Sequence, residues 1–331
     1  MTVRVAVDAM GGDRAPEEIV AGALAAASDE VIPVLHGPRD VLEPLAGGLE
    51  IVHAEAVVAM DEKPADAVRE KRESSLFRSC RAVGEGAADA VVSAGNTGAT
   101  LAAGLLEIRR LPDVRRPAIA VPLPSLGGPS ILVDAGANAD ARPEHLVQFA
   151  HMGAVFAEEI AGLPGPTVAL LSIGEEPEKG NRLVREAHEQ LAAASGLNFV
   201  GNVEGRDLLR KAADVVVCDG FTGNMALKLL EGTIRTTLET FREEVTRSLR
   251  GKLGGLLVRP AARALRTRLD PDTYGGAYLL GLRGLVVIAH GSSSRRAIAN
   301  AIRYAAQGVD GSVVSRVAAR LGERAGDVAA P

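Results

Sequence analysis

Aromatic residues are scarce in this chain, which has no tryptophan and an aromatic content of only 3%. Proteins that bind single-stranded nucleic acid stack the bases on aromatic side chains, so this composition argues against such a function. The formal net charge of −5 also argues against a protein that coats nucleic acid, because such proteins carry excess positive charge. No nucleic-acid partner is therefore expected.

Cysteine is also scarce: the sequence has Cys80 and Cys218, and neither belongs to a C-x-x-C pair. A disulfide framework is therefore excluded, and a reducing cytoplasm is the simplest location. The start of the chain lacks the apolar region of a signal peptide, and no uncharged apolar stretch is long enough to span a bilayer. The six histidines are not spaced as metal ligands, so no metal site is predicted.

Glycine, in contrast, is abundant, with 37 residues among 331, and the composition of 47% apolar and 24% charged residues is that of a globular protein. Strand-like runs alternate with helix-like stretches such as 17–27, 145–160 and 182–194. This alternation predicts an α/β fold, a Rossmann-like α/β/α sandwich with a mostly parallel sheet. No linker interrupts the pattern, so we expect a single α/β domain over residues 1–331.

Several strand-like runs end in a short loop of Gly, Asn, Asp, Ser or Thr. The fullest example is the run 215–218, which the loop 219–224 follows, and similar loops occupy 93–98, 134–138 and 289–293. Open α/β sheets bind ligands at the carboxyl ends of their strands, where free main-chain N–H groups and helix N-termini attract anions. We interpret these loops together as a candidate phosphate site, gathered at one edge of a parallel sheet.

Each loop taken singly has a simpler interpretation, as a strand-to-helix connection with a helix cap. The loops contain no G-x-x-x-x-G-K-[ST] P-loop, which argues against a nucleoside triphosphate. No G-x-G-x-x-G follows the first strand, which weakens a dinucleotide interpretation. For any one loop the sequence leaves both roles open, helix cap or ligand contact.

Three side chains beside these loops could take part in chemistry. Lys179 lies among three acidic residues, where it is either solvated with them or directed into the strand-end crevice as a cation for an oxyanion. His290 precedes Ser292, a pair that suggests a base and a nucleophile, although a serine that caps the next helix is simpler. Cys218 is either an acyl-accepting thiolate or, more commonly at the end of a buried strand, a small hydrophobic residue.

Residues 245–269 contain seven basic side chains and no acidic ones. Leucines recur there at helical spacing, and Gly254, Gly255 and Pro260 are expected to break the stretch into two short helices. The segment 245–270 is therefore predicted to form a basic amphipathic helical hairpin. It is either a solvated face on helices packed against the core, or a surface for anionic lipid or an acidic protein. The basic residues assigned to such a surface are Arg247, Arg250, Lys252, Arg259, Arg263 and Arg266.

Nine short motifs occur in order along almost the whole chain. They are VAVDAMGGD at 5–13, SAGNTGA at 93–99, DAGAN at 134–138, RPEHL at 142–146, KGN at 179–181, GNVEGRD at 201–207, DGFTGN at 219–224, YGGA at 274–277 and AHGSS at 289–293. In sequence and order they resemble the motifs of the bacterial phosphate acyltransferase family, the acyl-ACP:phosphate transacylases of phospholipid synthesis.

The resemblance implies that inorganic phosphate attacks the thioester of a long-chain acyl group on acyl carrier protein and releases acyl phosphate. It implies a fold similar to the phosphotransacetylase and isocitrate dehydrogenase type with the basic hairpin protruding, a homodimer, and no organic cofactor. A membrane glycerol-3-phosphate acyltransferase would use the product. We therefore expect a cytoplasmic protein that associates peripherally with the inner face of the membrane, where the hairpin would contact an anionic surface.

The resemblance and the loop chemistry together give a set of candidate site residues. Lys179 and Asn224 are predicted to be catalytic. Phosphate is predicted to contact Asn96, Thr97, Gly98, Asn138, Asn181, Thr222 and Gly223. Two other functions stay open, a phosphotransacetylase-type enzyme that uses acyl-CoA and a non-catalytic, membrane-docked lipid-binding module; a dehydrogenase is disfavoured by the missing dinucleotide motif.

Overall fold

The computed structural model describes residues 2–269 and 275–328 of the chain. Two positions used above lie outside this range: Tyr274 of the YGGA motif, and residue 270 at the end of the predicted hairpin. Within the described residues, eleven strands form one sheet and helices cover both of its faces.

The strands lie at the following positions: β1 Val3–Asp8, β2 Val31–Gly37, β3 Glu50–His53, β4 Ala90–Ser93, β5 Ala118–Leu123, β6 Ser130–Val133, β7 Thr167–Ser172, β8 Asn198–Glu204, β9 Val215–Val217, β10 Ala277–Leu280 and β11 Leu285–Ile288. The helices are α1 Glu17–Ala26, α2 Arg39–Leu42, α3 Pro64–Glu70, α4 Ser75–Gly84, α5 Thr97–Ala103, α6 Pro143–Ala161, α7 Arg182–Ala192, α8 Gly220–Thr246, α9 Leu249–Leu269, α10 Arg295–Asp310 and α11 Val313–Val328. A π-helical turn, Gly104–Ile108, extends α5, and a 3-10 turn, Gly205–Arg210, follows β8. The three helices predicted at 17–27, 145–160 and 182–194 are confirmed as α1, α6 and α7.

Alternate residues of the strands face opposite sides of the sheet and build two apolar layers. Val5 and Val7 of β1 pack into one core layer with α1, α6, α7, α10 and α11, whereas Ala6 between them packs into the other with α4 and α5. This two-sided burial explains why the strands read as continuous apolar runs in the sequence. The predicted α/β/α sandwich is confirmed.

The sheet order is β3-β2-β1-β4-β11-β10-β5-β6-β9-β7-β8, and seven of the ten neighbouring strand pairs given by the structure are parallel. Three antiparallel pairs, β11–β10, β10–β5 and β5–β6, lie in the middle. Three reversals mean that β3-β2-β1-β4-β11 run opposite to β6-β9-β7-β8. The expectation that parallel strands gather all the glycine loops at one edge is therefore wrong.

Helices α8 and α9 form an antiparallel hairpin that turns at Arg247 and Ser248. Ser248 begins α9, because its hydroxyl accepts the N–H of Gly251 at 3.0 Å. None of the residues of α9 is buried, so the alternative in which this segment packs against the core does not hold. Among the residues that the structure describes, no helix combines the length and apolar character needed to cross a bilayer.

The expected break of the basic segment into two short helices is wrong, because α9 continues through Pro260. Pro260 lies on the exposed side of α9, as does Leu256 one turn earlier. Water can therefore reach the main-chain oxygen that loses its partner at the proline. Gly255 of α9 faces α8 instead: a Cβ there would lie 2.7 Å from a methyl of Val245 in α8.

His36 of β2 is 1% exposed and hydrogen-bonds through Nδ1 to the main-chain oxygen of Val34. Burial lowers its pKa from 6.5 to about 4. Between these values the unfolded chain binds a proton that the folded chain does not, so acidification destabilises the fold by up to about 3 kcal/mol. We expect His36→Gln to lose less stability than the wild type between about pH 7.5 and about pH 4.5, measured by urea unfolding. Equal losses in the two proteins would contradict this assignment.

Candidate active site

A cavity of about 500 Å³ lies on one face of the sheet, over Ile119 and Val121 of β5. Its walls come from the loops after β1, β4, β6 and β11, from the start of β10 and from the first turns of α8. Loops from both halves of the sheet therefore meet over the middle of the sheet, and not along one of its edges. The loops after β1 and β11 are joined directly, because the N–H of Asp13 donates to the main-chain oxygen of Gly291 at 2.8 Å.

The buried carboxylate of Asp8 joins the loops after β1 and β4. Its Oδ1 accepts the hydroxyl of Ser75 at 2.6 Å, and its Oδ2 accepts the hydroxyl of Ser93 at 2.7 Å. Ser93 Oγ in turn accepts the N–H of Gly95, a cavity residue, at 3.0 Å. Burial raises the pKa of Asp8, and the two serine hydrogen bonds oppose that rise.

The carboxylate of Asp134, at the end of β6, organises the other side of the cavity. It is fully buried, and burial raises its pKa against the effect of the N–H groups that surround it. An ionised group removed from water must be hydrogen-bonded, and this one accepts five N–H bonds. The donors are the main-chain N–H groups of Ile119, Gly136, Ala137 and Asn138 and the side-chain amide of Asn138, at 2.7 to 3.1 Å.

Two predicted phosphate ligands, Asn138 and Thr222, use their polar groups within this scaffold. Asn138 accepts the N–H of Gly220 at 2.8 Å through its main-chain oxygen, which holds the start of α8. The Thr222 hydroxyl donates to Asp219 at 2.7 Å, and the N–H of Thr222 donates to the same carboxylate, which caps the helix. Neither Asn138 nor Thr222 lines the cavity.

Three predicted residues do come together at the cavity: Thr97, Gly98 and Asn224. Thr97 and Gly98 are the first residues of α5, and their N–H groups have no acceptor among the described residues. Asn224 lies in the first turns of α8, and within residues 2–269 and 275–328 its amide makes no hydrogen bond. Gly136 has φ of 141°, and a Cβ there would lie 3.6 Å from Asn224 Cβ. That distance is an ordinary contact, so it is the positive φ rather than space that favours glycine at this position.

Asn96 and Asn181 act as helix caps in the structure. Asn96 caps α5 with its oxygen, while its Nδ2 donates to the main-chain oxygens of Met60 and Glu62 at 2.8 and 3.0 Å. Asn96 thereby holds Met60 in the cavity wall. Asn181 caps α7 by accepting the N–H of Val184 at 3.0 Å, and it does not line the cavity.

Lys179 is exposed in the loop after β7 and does not line the cavity. Strand β7 is the third strand from β5 in the sheet, a lateral distance of about 14 Å at roughly 4.8 Å per strand. The structure therefore does not place Lys179 in the wall of the cavity that Thr97, Gly98 and Asn224 line.

Sequence reasoning missed Lys228 and Glu231, which line the cavity on the same helix as Asn224. Lys228 follows Asn224 by four residues, one helical turn, so the two share a face of α8. Its Nζ lies 3.0 Å from Glu231 Oε2. The i, i+4, i+7 spacing after the DGFTGN motif is the signal that could have identified both residues.

His290 also lines the cavity, at the end of β11. Its Nδ1 accepts the main-chain N–H of Ser292 at 3.2 Å and lies 2.8 Å from the Ser292 hydroxyl. Because a main-chain N–H only donates, a neutral His290 holds its proton on Nε2. The expected capping role of a serine in this segment is confirmed by Ser294, which caps α10.

Cys218 does not have the environment of a nucleophile. It is 2% exposed, its Sγ donates to the main-chain oxygen of Asp134 at 3.6 Å, and burial raises the pKa of the thiol well above its ordinary value. The interpretation of Cys218 as a small hydrophobic residue is confirmed. Among the described residues, no three or more His, Cys, Asp or Glu side chains are grouped to hold a metal ion.

Comparison with known proteins places the chain in a family. Residues 3–316 match the sequence profile of the family described as "Fatty acid synthesis protein". The phosphate acyltransferase of Heliobacterium modesticaldum is 49% identical over 324 residues, which cover 95% of this chain and 96% of that protein. The chain belongs to the phosphate acyltransferase family. It is therefore an enzyme, an acyltransferase.

Solved structures with a similar fold include a phosphotransacetylase from Streptococcus pyogenes, with a TM-score of 0.63 and 18% identity over 93% of this chain and 94% of that chain. A branched-chain phosphotransacylase from Enterococcus faecalis has a TM-score of 0.56 and 16% identity over 93% of this chain and 99% of that chain. At these identities the likeness concerns the fold, and the predicted similarity to the phosphotransacetylase type is confirmed.

Gly223, a predicted phosphate ligand, is buried where α8 meets the loop after β6, and a methyl group there would overlap the main-chain oxygen of Asp134. We expect Gly223→Ala to destabilise the enzyme by about 1–3 kcal/mol in urea unfolding, because backbone must move. Gly232→Ala is the matched control on the same helix, since a Cβ there meets nothing within 4 Å. The control should be neutral or slightly stabilising. Equal stability of the two variants would show that this close contact does not position α8.

Proposed function

We propose that the enzyme transfers a long-chain fatty acyl group from acyl carrier protein to inorganic phosphate, and that the acyl phosphate serves membrane phospholipid synthesis. The names of its relatives support acyl transfer to phosphate. The observation that supports it most directly is that the N–H groups of Thr97 and Gly98 and the amide of Asn224, which have no partner among the described residues, belong to the same cavity. These donors suit an oxyanion.

Phosphate is the ligand that these donors fit best. The N-terminus of α5 opens toward the cavity through Thr97 and Gly98, and the partial positive charge of a helix N-terminus stabilises an anion. Lys228 adds an ammonium group on the same wall, where it is paired with Glu231. Thr97, Gly98, Asn224 and Lys228 would therefore bind phosphate directly. Asn96, Asn138, Thr222 and Gly223 would position the loops that hold it.

The reaction needs no covalent enzyme intermediate. A phosphate oxygen attacks the thioester carbonyl carbon, the tetrahedral intermediate collapses with cleavage of the C–S bond, and the products are acyl phosphate and a thiolate that takes up a proton. The intermediate carries an oxyanion, and losing one donor to such a charge typically lowers the rate by about 10²–10³. The Nε2–H of His290 is a suitable donor to this oxyanion or to the departing sulfur.

The predicted roles of Lys179 and Asn181 require a different arrangement, because neither lines the cavity in this structure. Lys179 is exposed and makes no ion pair among the described residues, so a cation there is available to substrate if the loop after β7 approaches the cavity. Its role as orienting group for phosphate or the oxyanion stays a prediction.

The α8–α9 hairpin provides two surfaces for partners. Phe221, Met225 and Leu229 recur every four residues along α8 and are 63%, 58% and 72% exposed, so they form an apolar stripe suited to a second copy in a homodimer. Leu249 and Leu257 on α9 are 80% and 84% exposed.

Exposed leucines among basic side chains suit a membrane surface. Each basic residue near an anionic bilayer contributes roughly 1 kcal/mol, so several contacts give reversible attachment. We propose that α9 attaches this cytoplasmic enzyme to the inner face of the membrane. There the product would reach a membrane glycerol-3-phosphate acyltransferase.

The deciding experiment incubates the purified enzyme with long-chain acyl-ACP and inorganic phosphate and measures acyl phosphate. We expect acyl phosphate and free carrier thiol in equal amounts. Parallel reactions with acyl-CoA test the phosphotransacetylase alternative. A higher kcat/KM with acyl-CoA than with acyl-ACP would show that the acyl donor is the CoA thioester rather than the carrier-protein thioester. An enzyme that binds vesicles but forms no acyl phosphate from either donor would be a lipid-binding module instead.

Two substitutions separate the cavity from the Lys179 loop. Asn224→Ala should lower kcat/KM by about 10²-fold or more, because a donor to phosphate or to the oxyanion is removed. Lys179→Ala should lower it comparably if the loop after β7 reaches the substrate. Near-wild-type formation of acyl phosphate by Lys179→Ala would remove this lysine from the mechanism and leave the cavity site intact.

The membrane proposal concerns Arg259, Arg263 and Arg266. When all three are changed to glutamate, we expect sedimentation with vesicles that contain anionic lipid to fall by at least about tenfold, because attraction becomes repulsion. The triple variant Arg182→Glu, Arg296→Glu, Arg303→Glu makes the same change of charge outside the hairpin and serves as the control. Equal sedimentation of the wild type and the variant with glutamate at 259, 263 and 266 would contradict the proposal that α9 binds lipid.

A further inference from the structure

A second cavity, of about 300 Å³, adjoins the candidate phosphate site. The two cavities share five wall residues and therefore lie side by side. The shared residues are Val121, Pro122, Leu227, Glu231 and His290. Anything bound in the second cavity thus begins beside His290 and the phosphate donors.

The wall of the second cavity is largely apolar. One face of α8 supplies Leu227, Leu230, Ile234 and Leu238, and Leu123 at the end of β5 lies across from them. The four α8 residues are half-buried, whereas neighbours on the opposite face of the helix, such as Thr236, are exposed. The spacing of 227, 230, 234 and 238 keeps this apolar face continuous along the helix axis.

The passage continues from the second cavity into the groove between α8 and α9. Arg235, Leu238 and Arg266 line both spaces. From Leu227 to Leu238, α8 rises by about 16 Å at roughly 1.5 Å per residue. This length suits a long hydrocarbon chain and far exceeds the size of an acetyl group.

We infer that the fatty acyl chain of the donor lies in the second cavity, with its thioester carbonyl in the first, and that Leu230, Ile234 and Leu238 determine the chain length that the enzyme accepts. The inference rests on the proposed function. Attack requires the carbonyl within about 3–3.5 Å of a phosphate oxygen, so the hydrocarbon must leave the first cavity by an adjoining apolar route. Each buried methylene would raise affinity roughly fourfold.

The test changes the depth of the second cavity and leaves the first cavity intact. Ile234→Trp should lower kcat/KM for palmitoyl-ACP by at least about tenfold, because the indole ring would occupy the space of the distal methylenes. The value of kcat/KM for butyryl-ACP should stay within about twofold of the wild-type value. Thr236→Trp, which adds the same side chain on the exposed face of α8, should leave both values unchanged. Leu238→Ala should shift the preference toward longer chains.

Ile234→Phe repeats the test with a smaller side chain should the tryptophan variant fold poorly, as judged by its unfolding midpoint. A parallel decrease for both donors, or an unchanged chain-length profile in a folded variant, would overturn the inference while the proposed function stands. Failure of the proposed function has a separate signature, in which the wild-type enzyme forms no acyl phosphate from either donor.

Discussion

The buried carboxylate of Asp134 is the interaction on which the site depends. Its five N–H donors come from β5, from the loop after β6 and from Asn138, whose main-chain oxygen fixes the first residue of α8. A charge in the interior is tolerated only with such a complete set of partners, so this loop has few alternative conformations. The direction of α8, and with it the position of Asn224, follows from that constraint.

The fold class was predictable from the sequence because it depends on local patterns. Apolar runs of strand length alternate with amphipathic stretches, and each is visible within a window of about a dozen residues. The reversal of direction in the middle of the sheet was not predictable, because it depends on which distant strands pair. Strand β10 lies between β11 and β5, and no residue within its four positions specifies an antiparallel partner on either side.

The candidate site was predictable in part, for a chemical reason. An asparagine at a strand end suits both a ligand and a helix cap, since both roles use the same amide. The structure separates the two: Asn96, Asn138 and Asn181 hold backbone groups, and the amide of Asn224 is left available. Lys228 was not predicted because it lies in the third turn of a helix rather than in a loop. The turn of the α8–α9 hairpin at Arg247 and Ser248 was not predicted, because the glycine pair 254–255 and Pro260 indicate a helix break more strongly than Ser248 does.

Helix α8 begins at the cavity wall and continues without a break to the hairpin turn. From Asn224 to Thr246 it rises by about 33 Å, at roughly 1.5 Å per residue. One continuous helix fixes the distance between the reacting atoms and whatever the tip of the α8–α9 hairpin contacts. The insertion of one residue within α8 would lengthen this distance, and a deletion would shorten it. Either change would also rotate one end of the helix relative to the other by about 100°.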